Sequence, residues 1–310
     1  MRILLQFPEG LKQEACAKAA ELEARGHTVL ISASPCFGAC DVAVSQAHAV
    51  KADKLIHYGH AEFPLPKGAA GKLKIEYVEH HSVVDVLPVL RKTMQDPQFK
   101  TCKTVGLVTT VQHVPKLQDA KTFLESKGKT VLIGRHGAKA KYDGQILGCD
   151  AGSAASVDEK VDCVLYLGGG YFHPLAAAFA CRKRVLAADP FLNKLTWMDE
   201  ERDRRLKRRK GLMTLAIVAK NVGILVSVKP GQFSLSDALK LKKEFESVGK
   251  KASVLVTDFI SSEPLENFHC FDVYVNTACP RIALDDCISY GKPMLTVGEA
   301  REVVRQMKAR

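Results

Sequence analysis

The 310-residue sequence contains no long hydrophobic run. No apolar stretch approaches the roughly 20 residues that a membrane-spanning helix needs, so we expect no transmembrane segment. Residues 1–8 are too short and wrongly flanked for a signal peptide, and they predict a first β-strand instead. These absences favour a cytoplasmic protein without a membrane role.

The sequence also lacks the motifs that most often mark nucleotide and nucleic-acid binding. It has no phosphate-loop motif, no Gly-x-Gly-x-x-Gly fingerprint and no aromatic platform interleaved with basic residues. Its 45 Lys and Arg residues against 34 Asp and Glu residues nevertheless give a net charge of +11, which favours an acidic partner. Much of the excess lies in a basic run at 202–210, which is either a solvated helix face or a docking surface for a macromolecule.

The ten cysteines do not form a framework of closely spaced pairs. We therefore expect no disulfides. Cys36 and Cys40 have a spacing that zinc tolerates, but no second close pair accompanies them, which disfavours a zinc finger. Cys16, Cys163 and Cys270 lie on or beside apolar patterns, where a thiol behaves as a small hydrophobic core residue.

The same α/β unit is repeated three times along the chain. Each copy has a β-rich run, an amphipathic helix, a glycine, a second strand, an acidic residue, a third strand and a fourth strand. The first strands are predicted at 3–7, 105–109 and 223–227; the glycines are Gly26, Gly128 and Gly249; the acidic residues are Asp53, Asp162 and Asp272.

Short apolar strands that alternate with helices predict parallel sheets covered on both faces. We therefore predict an α/β fold of three similar domains at 1–100, 101–210 and 211–310. Each domain is expected to be a small parallel sheet flanked by helices, and the three are expected to surround a pseudo-threefold axis. Ligands of open α/β sheets bind beyond the carboxyl ends of the strands, which predicts a site at the centre.

Each copy of the unit places one cysteine in a glycine- or alanine-flanked loop at that edge: Cys40, Cys149 and Cys279. Soft thiolates select zinc or iron–sulfur clusters over hard cations. A 4Fe–4S cluster normally takes four cysteines, so three protein ligands would leave one iron open for a substrate. The spacing alone leaves scattered core thiols as the alternative.

Seven motifs, in order and at family spacing, resemble the archaeal-type diphthamide synthase family, also called 2-(3-amino-3-carboxypropyl)histidine synthase. The resemblance extends from about residue 1 to 297. The motifs are Pro-Glu-Gly-Leu-Lys at 8–12, Gly-Ala-Cys-Asp at 38–41, His-Tyr-Gly-His-Ala-Glu-Phe at 57–63, Gly-Gln-Ile-Leu-Gly-Cys-Asp at 144–150, Gly-Gly-Gly-Tyr-Phe-His-Pro at 168–174, Val-Lys-Pro-Gly-Gln at 228–232 and Val-Asn-Thr-Ala-Cys-Pro-Arg-Ile-Ala-Leu-Asp-Asp at 275–286.

The resemblance implies that Cys40, Cys149 and Cys279 hold one 4Fe–4S cluster per chain. It implies a radical transferase that cleaves S-adenosylmethionine at the methionine γ-carbon without the close triple-cysteine motif of the familiar radical enzymes. The resulting 3-amino-3-carboxypropyl group is transferred to a histidine of translation elongation factor 2, the first step of diphthamide biosynthesis. The resemblance also implies a homodimer, and the electron donor stays unidentified.

Further polar residues are candidates for holding S-adenosylmethionine. Arg281 is the first choice for the methionyl carboxylate, and an ion pair with Asp285 or Asp286 is the alternative. Lys229 and Gln232 are candidate anchors for the nucleoside or amino acid part. Gly168, Gly169 and Gly170 either let the backbone approach a ligand closely or form a flexible turn.

Three histidines, His57, His60 and His173, are candidates for orienting the substrate imidazole or accepting its proton. The alternative for each is a hydrogen-bonded structural role. Cys36 either completes the cluster in a resting state or is a bystander, and Cys287 is expected to pack into the following helix. The rival functions are a quinolinate-synthase-like dehydratase with a 4Fe–4S cluster and a non-catalytic nucleotide- or RNA-binding α/β protein.

Overall fold

The computed structural model describes residues 1–284 and 290–309. Its contacts divide the chain into two compact units, Met1–Arg202 and Asp203–Arg310. The first unit contains two β-sheets and the second unit contains one. None of the described helices combines the length and hydrophobicity that crossing a membrane requires. Asp285, Asp286 and Cys287, which figured in the sequence-based expectations, lie outside the described residues.

The first sheet is fully parallel, with strand order β2-β1-β3-β4. The second has the order β6-β5-β7-β8-β9, and its last strand pairs antiparallel with β8. The strands are β1 (Arg2–Gln6), β2 (Thr28–Ile31), β3 (Lys54–Tyr58), β4 (Lys74–Val78), β5 (Thr104–Thr109), β6 (Thr130–Ile133), β7 (Cys163–Leu167), β8 (Arg184–Asp189) and β9 (Lys194–Trp197).

Helices connect and flank these strands in the first unit. The helices are α1 (Ala15–Glu23), α2 (Val44–Ala49), α3 (Leu87–Thr93), α4 (Pro97–Thr101), α5 (Leu117–Ser126), α6 (Gly152–Ala155) and α7 (Phe172–Ala180), with 3₁₀ turns at Glu9–Glu14, Val111–Lys116 and Asp158–Lys160.

The second unit carries a parallel sheet of order β11-β10-β12-β13. Helix α8 (Asp199–Val218) crosses the boundary between the units. The remaining elements are β10 (Asn221–Ser227), a 3₁₀ turn (Pro230–Gln232), α9 (Leu235–Glu246), β11 (Lys251–Thr257), α10 (Ser262–Glu266), β12 (Val273–Asn276), α11 (Pro280–Leu284), β13 (Met294–Thr296) and α12 (Val297–Lys308).

The same strand order, second-first-third-fourth, recurs in all three sheets. The prediction of three small parallel sheets flanked by helices is therefore confirmed. The antiparallel strand β9 was not predicted. The pseudo-threefold arrangement and the domain boundaries at 100 and 210 stay predictions.

The glycines of the repeat adopt nearly the same conformation, with φ of 81°, 81° and 79° at Gly26, Gly128 and Gly249. Positive φ closes a helix at little cost only for glycine, so the predicted left-handed ends are confirmed.

The acidic residues of the repeat bind the amino-terminal end of the first strand of each sheet. Asp53 accepts a hydrogen bond from the backbone N–H of Arg2 at 2.7 Å. Asp162 accepts from the N–H of Thr104 at 2.8 Å, and Asp272 accepts from the N–H of Asn221 at 2.8 Å. These carboxylates fasten the first strand of each sheet to the third, which explains why an acid precedes the third strand in every copy.

Each sheet is covered by apolar side chains on both faces. In β1, Ile3 and Leu5 join one buried cluster while Leu4 joins another, as the alternation of side chains along a strand requires. The second and third sheets likewise have two clusters each. Cys163 is buried as expected, whereas Cys16 and Cys270 are exposed, so their prediction as core residues was wrong.

The basic run at 202–210 lies within α8 and is not uniformly exposed. Arg204, Lys207, Arg208 and Lys210 are exposed, but Arg209 retains only 4% of its accessible surface. Neither expectation for the basic run, a solvated helix face or a docking surface, applies to Arg209.

Candidate active site

Cys40 lies in a tight turn in the loop that follows β2. The N–H of Asp41 donates to the carbonyl of Gly38 at 2.9 Å, and the Asp41 carboxylate accepts from the N–H of Phe37 at 3.3 Å. The thiol-bearing residue is half-buried, and the next residue, Asp41, is buried. The Asp41 carboxylate therefore stabilises the turn, and Cys40 stays partly exposed.

Side chains from neighbouring strands fix this turn in place. Gln6, the last residue of β1, donates from Nε2 to the carbonyl of Asp41 at 2.6 Å and accepts at Oε1 from the N–H of Ala43 at 3.0 Å. The Tyr77 hydroxyl of β4 donates to the carbonyl of Ala39 at 3.3 Å. The loop that carries Cys40 is thus attached to the carboxyl ends of two strands.

Cys149 lies in a second turn, in the loop that follows β6. Leu147 and Asp150 exchange backbone hydrogen bonds of 2.8 and 3.1 Å around it. The Asp150 carboxylate accepts from the N–H of Lys139 at 2.6 Å and from the N–H of Gly152 at 2.9 Å. The dipeptide Cys-Asp therefore performs the same task in both turns, a structural role for the acid that the sequence reasoning missed.

The absence of a side chain at Gly148 makes room for an aromatic ring beside Cys149. A Cβ atom there would lie 1.7 Å from a ring carbon of Phe172. Cys149 itself is half-buried, and burial raises the pKa of its thiol, an effect that Lys139 opposes and Asp150 reinforces. Coordination of a metal would favour the thiolate form instead.

Cys279 lies in the second unit, in the turn between β12 and α11. Asn276 donates from Nδ2 to the carbonyl of Cys279 at 2.6 Å and accepts at Oδ1 from the N–H of Ala278 at 2.9 Å. The Thr277 hydroxyl donates to the carbonyl of Leu225 at 2.8 Å. Two side chains of the predicted motif therefore shape the turn that presents the half-buried Cys279.

Each of the three turns offers one thiol of the kind that iron–sulfur clusters use as a ligand, and their convergence on one cluster stays a prediction. Each sheet contributes one half-buried cysteine from a backbone-fixed loop at the carboxyl edge, whereas Cys163 is enclosed in the core. Half-buried thiols can reach a ligand, and thiolates are the donors that such clusters use. The equivalence is incomplete, because Cys40 and Cys149 follow the second strand of their sheet and Cys279 follows the third.

Two of the three candidate histidines are brought together. Nε2 of His57 lies 2.9 Å from Nδ1 of His60, and Nδ1 of His57 lies 2.9 Å from Oε1 of Gln6. The parallel register places Gln6, His57 and Tyr77 side by side on three neighbouring strands. The histidines thus adjoin the residues that fix the Cys40 loop.

Burial lowers the pKa of both histidines. The pKa of His57 falls to about 3 through desolvation and the proximity of His60. Desolvation lowers the pKa of His60 to about 4, although the carbonyl of Tyr58 and the charge of Asp41 oppose that shift. Both imidazoles are therefore neutral near pH 7 and able to accept a proton or a hydrogen bond.

Cys36 adjoins this pair. Its Sγ and the ring nitrogens of His57 and His60 lie within 4.8 Å of one another, a separation that a metal ion could bridge. The facing nitrogens of the two histidines are already committed to one hydrogen bond. We therefore describe the group as a hydrogen-bonded network.

His173 is the second residue of α7. Its ring stacks on Tyr166 at 6.5 Å between centroids and meets Phe172 edge-on at 5.2 Å. Through Phe172 it adjoins the Cys149 turn.

The three consecutive glycines differ in surroundings. A Cβ atom on Gly168 would lie 2.7 Å from the Tyr166 hydroxyl, and one on Gly169 would lie 3.2 Å from Phe191. Gly170 adopts a φ of 77°. Close packing and a left-handed backbone thus explain the glycines at 168 and 170, and ligand contact stays a prediction.

The candidate anchors in the second unit lie at the ends of its strands. Lys229 is half-buried after β10 and its Nζ lies 5.5 Å from the ring centre of Phe259. Gln232 ends the 3₁₀ turn that follows and is half-buried. Arg281 is exposed on α11, two residues after Cys279.

Comparisons with known proteins identify the family. A family model described as a putative diphthamide synthesis protein matches residues 7–310. The 2-(3-amino-3-carboxypropyl)histidine synthase of Pyrococcus horikoshii is 37% identical over 298 residues, which cover 96% of this chain and 84% of that protein. Subunit 1 of the human enzyme of that name is 29% identical over 312 residues, covering 99% of this chain and 68% of the human protein.

A solved structure agrees with the sequence comparisons. The crystal structure of Dph2 from Pyrococcus horikoshii with a 4Fe–4S cluster superimposes with a TM-score of 0.89 at 35% identity, covering 98% of this chain and 86% of that chain. The resemblance that the motifs indicated is confirmed. The chain belongs to the family of diphthamide synthesis proteins.

Proposed function

We propose that this chain transfers the 3-amino-3-carboxypropyl group from S-adenosylmethionine to a histidine side chain of translation elongation factor 2, the first step of diphthamide biosynthesis. The single observation that carries the proposal is the likeness over 98% of the chain to a Dph2 structure that holds a 4Fe–4S cluster. The backbone-fixed cysteine turn at each sheet supports it.

Cys40, Cys149 and Cys279 are the proposed ligands of one 4Fe–4S cluster. When bound, such a cluster supplies the single electron that cleaves the carbon–sulfur bond of S-adenosylmethionine. Hydrogen bonds that the Asp41 and Asp150 carboxylates accept from backbone N–H groups, and one that Asn276 donates to the Cys279 carbonyl, fix the backbone of the turns that carry these cysteines. Such supporting contacts commonly govern metal affinity.

The proposed role of Arg281, Lys229 and Gln232 is to bind S-adenosylmethionine. Arg281 can hold the methionyl carboxylate through its two-pronged guanidinium. Lys229 and Gln232 can anchor the nucleoside or amino acid part, and Gly168, Gly169 and Gly170 can let the backbone approach it. Which carbon–sulfur bond breaks depends on how these residues position the molecule.

The protein substrate and the assembly are proposed with the family. The exposed basic residues of α8, among them Lys207 and Arg208, are suited to a docking surface for an acidic region of elongation factor 2. We propose a cytoplasmic homodimer of three-domain chains, divided at residues 100 and 210, that receives electrons from an unidentified donor.

Anaerobic turnover tests the proposal. Reconstituted and reduced protein is incubated with S-adenosylmethionine and elongation factor 2, and the products are analysed by mass spectrometry. We expect methylthioadenosine and a mass increase on elongation factor 2 equal to one aminocarboxypropyl group. Elongation factor 2 whose target histidine is replaced is the control and should gain no mass. A cluster-bearing protein that yields neither product contradicts the proposal.

A further inference from the structure

Gln6, His57 and His60 form a chain of side chains that leads from the interior to the surface. Gln6 and His57 are 2% and 0% exposed, whereas His60 is half-buried. Two contacts of 2.9 Å join the three in sequence. His60 is therefore the one residue of these three that is partly exposed.

Two backbone groups fix the amide orientation of Gln6. The N–H of Ala43 can only donate, so the Gln6 atom 3.0 Å from it is the carbonyl oxygen Oε1. The carbonyl of Asp41 can only accept, so the Gln6 atom 2.6 Å from it is Nε2. Rotating the amide by 180° would break both hydrogen bonds. It would place two donors in contact at Ala43 and two acceptors in contact at Asp41.

This orientation fixes the tautomer of both imidazoles. Because Oε1 of Gln6 can only accept, Nδ1 of His57 must carry the proton. In neutral His57 the other nitrogen, Nε2, is then an acceptor, so Nδ1 of His60 must donate to it. The remaining nitrogen, Nε2 of His60, keeps its lone pair. The lowered pKa of each imidazole agrees with the neutral forms that this argument uses.

We propose that Gln6 is a positioning residue that acts through His57 to make Nε2 of His60 the acceptor of the proton that the substrate imidazole loses. The inference rests on the proposed function. The same Gln6 amide holds the loop that carries Cys40, so one side chain orders both a proposed cluster ligand and the proposed acceptor. A general base needs a fixed lone pair, and this network provides one.

The chemistry requires one such acceptor. The carbon–sulfur bond of S-adenosylmethionine breaks, and that carbon forms a bond to the imidazole in place of one ring hydrogen. The sulfonium charge is lost as methylthioadenosine forms, and one proton is released. The overall transfer therefore balances without a net oxidant or reductant, and His60 becomes an imidazolium until it passes the proton to water.

Nuclear magnetic resonance tests the tautomers directly. In protein labelled with ¹⁵N in its histidines, assigned with a His60→Gln variant, we expect a proton on Nδ1 and none on Nε2 of His60 at pH 7. Gln6→Met removes the accepting oxygen that faces His57 and should give mixed tautomers. A proton on Nε2 of His60 in the wild-type protein overturns the proposal.

Product ratios then test the role in the reaction. We expect His60→Gln to lower transfer to elongation factor 2 by about 100-fold, the usual effect of losing a general base. Gln6→Met should lower it about 10-fold, as loss of a supporting contact does. Iron content and methylthioadenosine release are measured in the same samples, and transfer is expressed per bound iron and per methylthioadenosine formed, because Gln6 also holds the loop that carries Cys40. The exposed His80 supplies the matched control, His80→Gln, which should transfer normally.

The outcomes separate this inference from the proposed function. Wild-type protein that makes no methylthioadenosine contradicts the proposed function itself. If the wild-type protein is active and the Gln6→Met and His60→Gln variants transfer at the wild-type rate, only the proposed role of the network is overturned.

Discussion

The buried Arg209 and the half-buried Glu299 form an ion pair in the second unit, with Nε of the guanidinium 2.7 Å from Oε1 of the carboxylate. A second contact joins Nη2 to Oε2. The same guanidinium donates to the carbonyl of Ala283 at 2.6 Å and to that of Met294 at 2.9 Å. One side chain from the basic run therefore ties together α11, β13 and α12, and α11 is the helix that follows Cys279.

Replacing Arg209 should destabilise the second unit strongly. Arg209→Met leaves the half-buried Glu299 carboxylate without its ion-pair partner and the buried carbonyls of Ala283 and Met294 without their donor, which typically costs about 1–3 kcal/mol for each unpaired group. Arg208→Met, at the exposed neighbouring position, should change it by less than about 0.5 kcal/mol. Urea unfolding of both variants measures the difference, and equal midpoints would refute a structural role for Arg209. Adding Glu299→Leu to Arg209→Met should restore part of the loss, because the unpaired charge is removed.

A methyl group at residue 148 should disturb the Cys149 turn. Gly148→Ala forces a Cβ atom into the Phe172 ring, and overpacking of this kind typically costs about 1–3 kcal/mol. Gly10→Ala is the control, since a Cβ atom there meets no other atom within 4 Å. We expect Gly148→Ala to lower both the thermal midpoint and the iron bound per chain. Adding Phe172→Leu to Gly148→Ala should restore part of both. A Gly148→Ala protein as stable as Gly10→Ala would show that the ring moves aside freely.

The buried histidines should make the cluster-free protein sensitive to acid. The pKa values of His57 and His60 are lowered from 6.5 to about 3 and about 4, so below pH 6.5 the unfolded chain binds protons that the folded chain does not. Stability from these groups is present above pH 6.5 and is lost as the pH falls towards 4. Each histidine contributes up to about 1.4 kcal/mol per pH unit in that window.

Urea unfolding between pH 7 and pH 4.5 measures this effect. We expect His57→Gln to give a shallower fall in unfolding free energy than the wild type. The exposed-site variant His80→Gln should follow the wild-type slope. A His57→Gln slope identical to that of the wild type would mean that His57 is not held neutral by the fold.

Local patterns were sufficient to predict the repeated sheets. Apolar runs, glycines at helix ends and an acid before each third strand are short-range signals, and the structure gives each a short-range cause, such as the φ of Gly128 or the bond from Asp162 to β5. The antiparallel strand β9 escaped prediction because it has no counterpart in the other two sheets. The family match favours the transferase over the dehydratase and the nucleotide-binding protein considered at first.

Long-range contacts were not readable from the sequence. Arg209 looks like its basic neighbours in the run at 202–210, and only the fold shows that it is the buried one among them. Gln6 acquires its role from partners about 35 and 51 residues away. Cys16 is exposed because it lies on the outer face of α1, and Cys270 is exposed because it lies in a turn before β12, neither of which apolar neighbours alone reveal.

The iron content of cysteine variants tests the central claim most directly. After anaerobic reconstitution, we expect about four irons per chain in the wild type and in Cys163→Ala, whose thiol lies in the core. Cys40→Ala, Cys149→Ala and Cys279→Ala should each lose most of that iron and the associated absorbance, while their thermal midpoints stay within a few degrees of Cys163→Ala. Equal iron in all four variants would contradict the assignment of these three cysteines as cluster ligands.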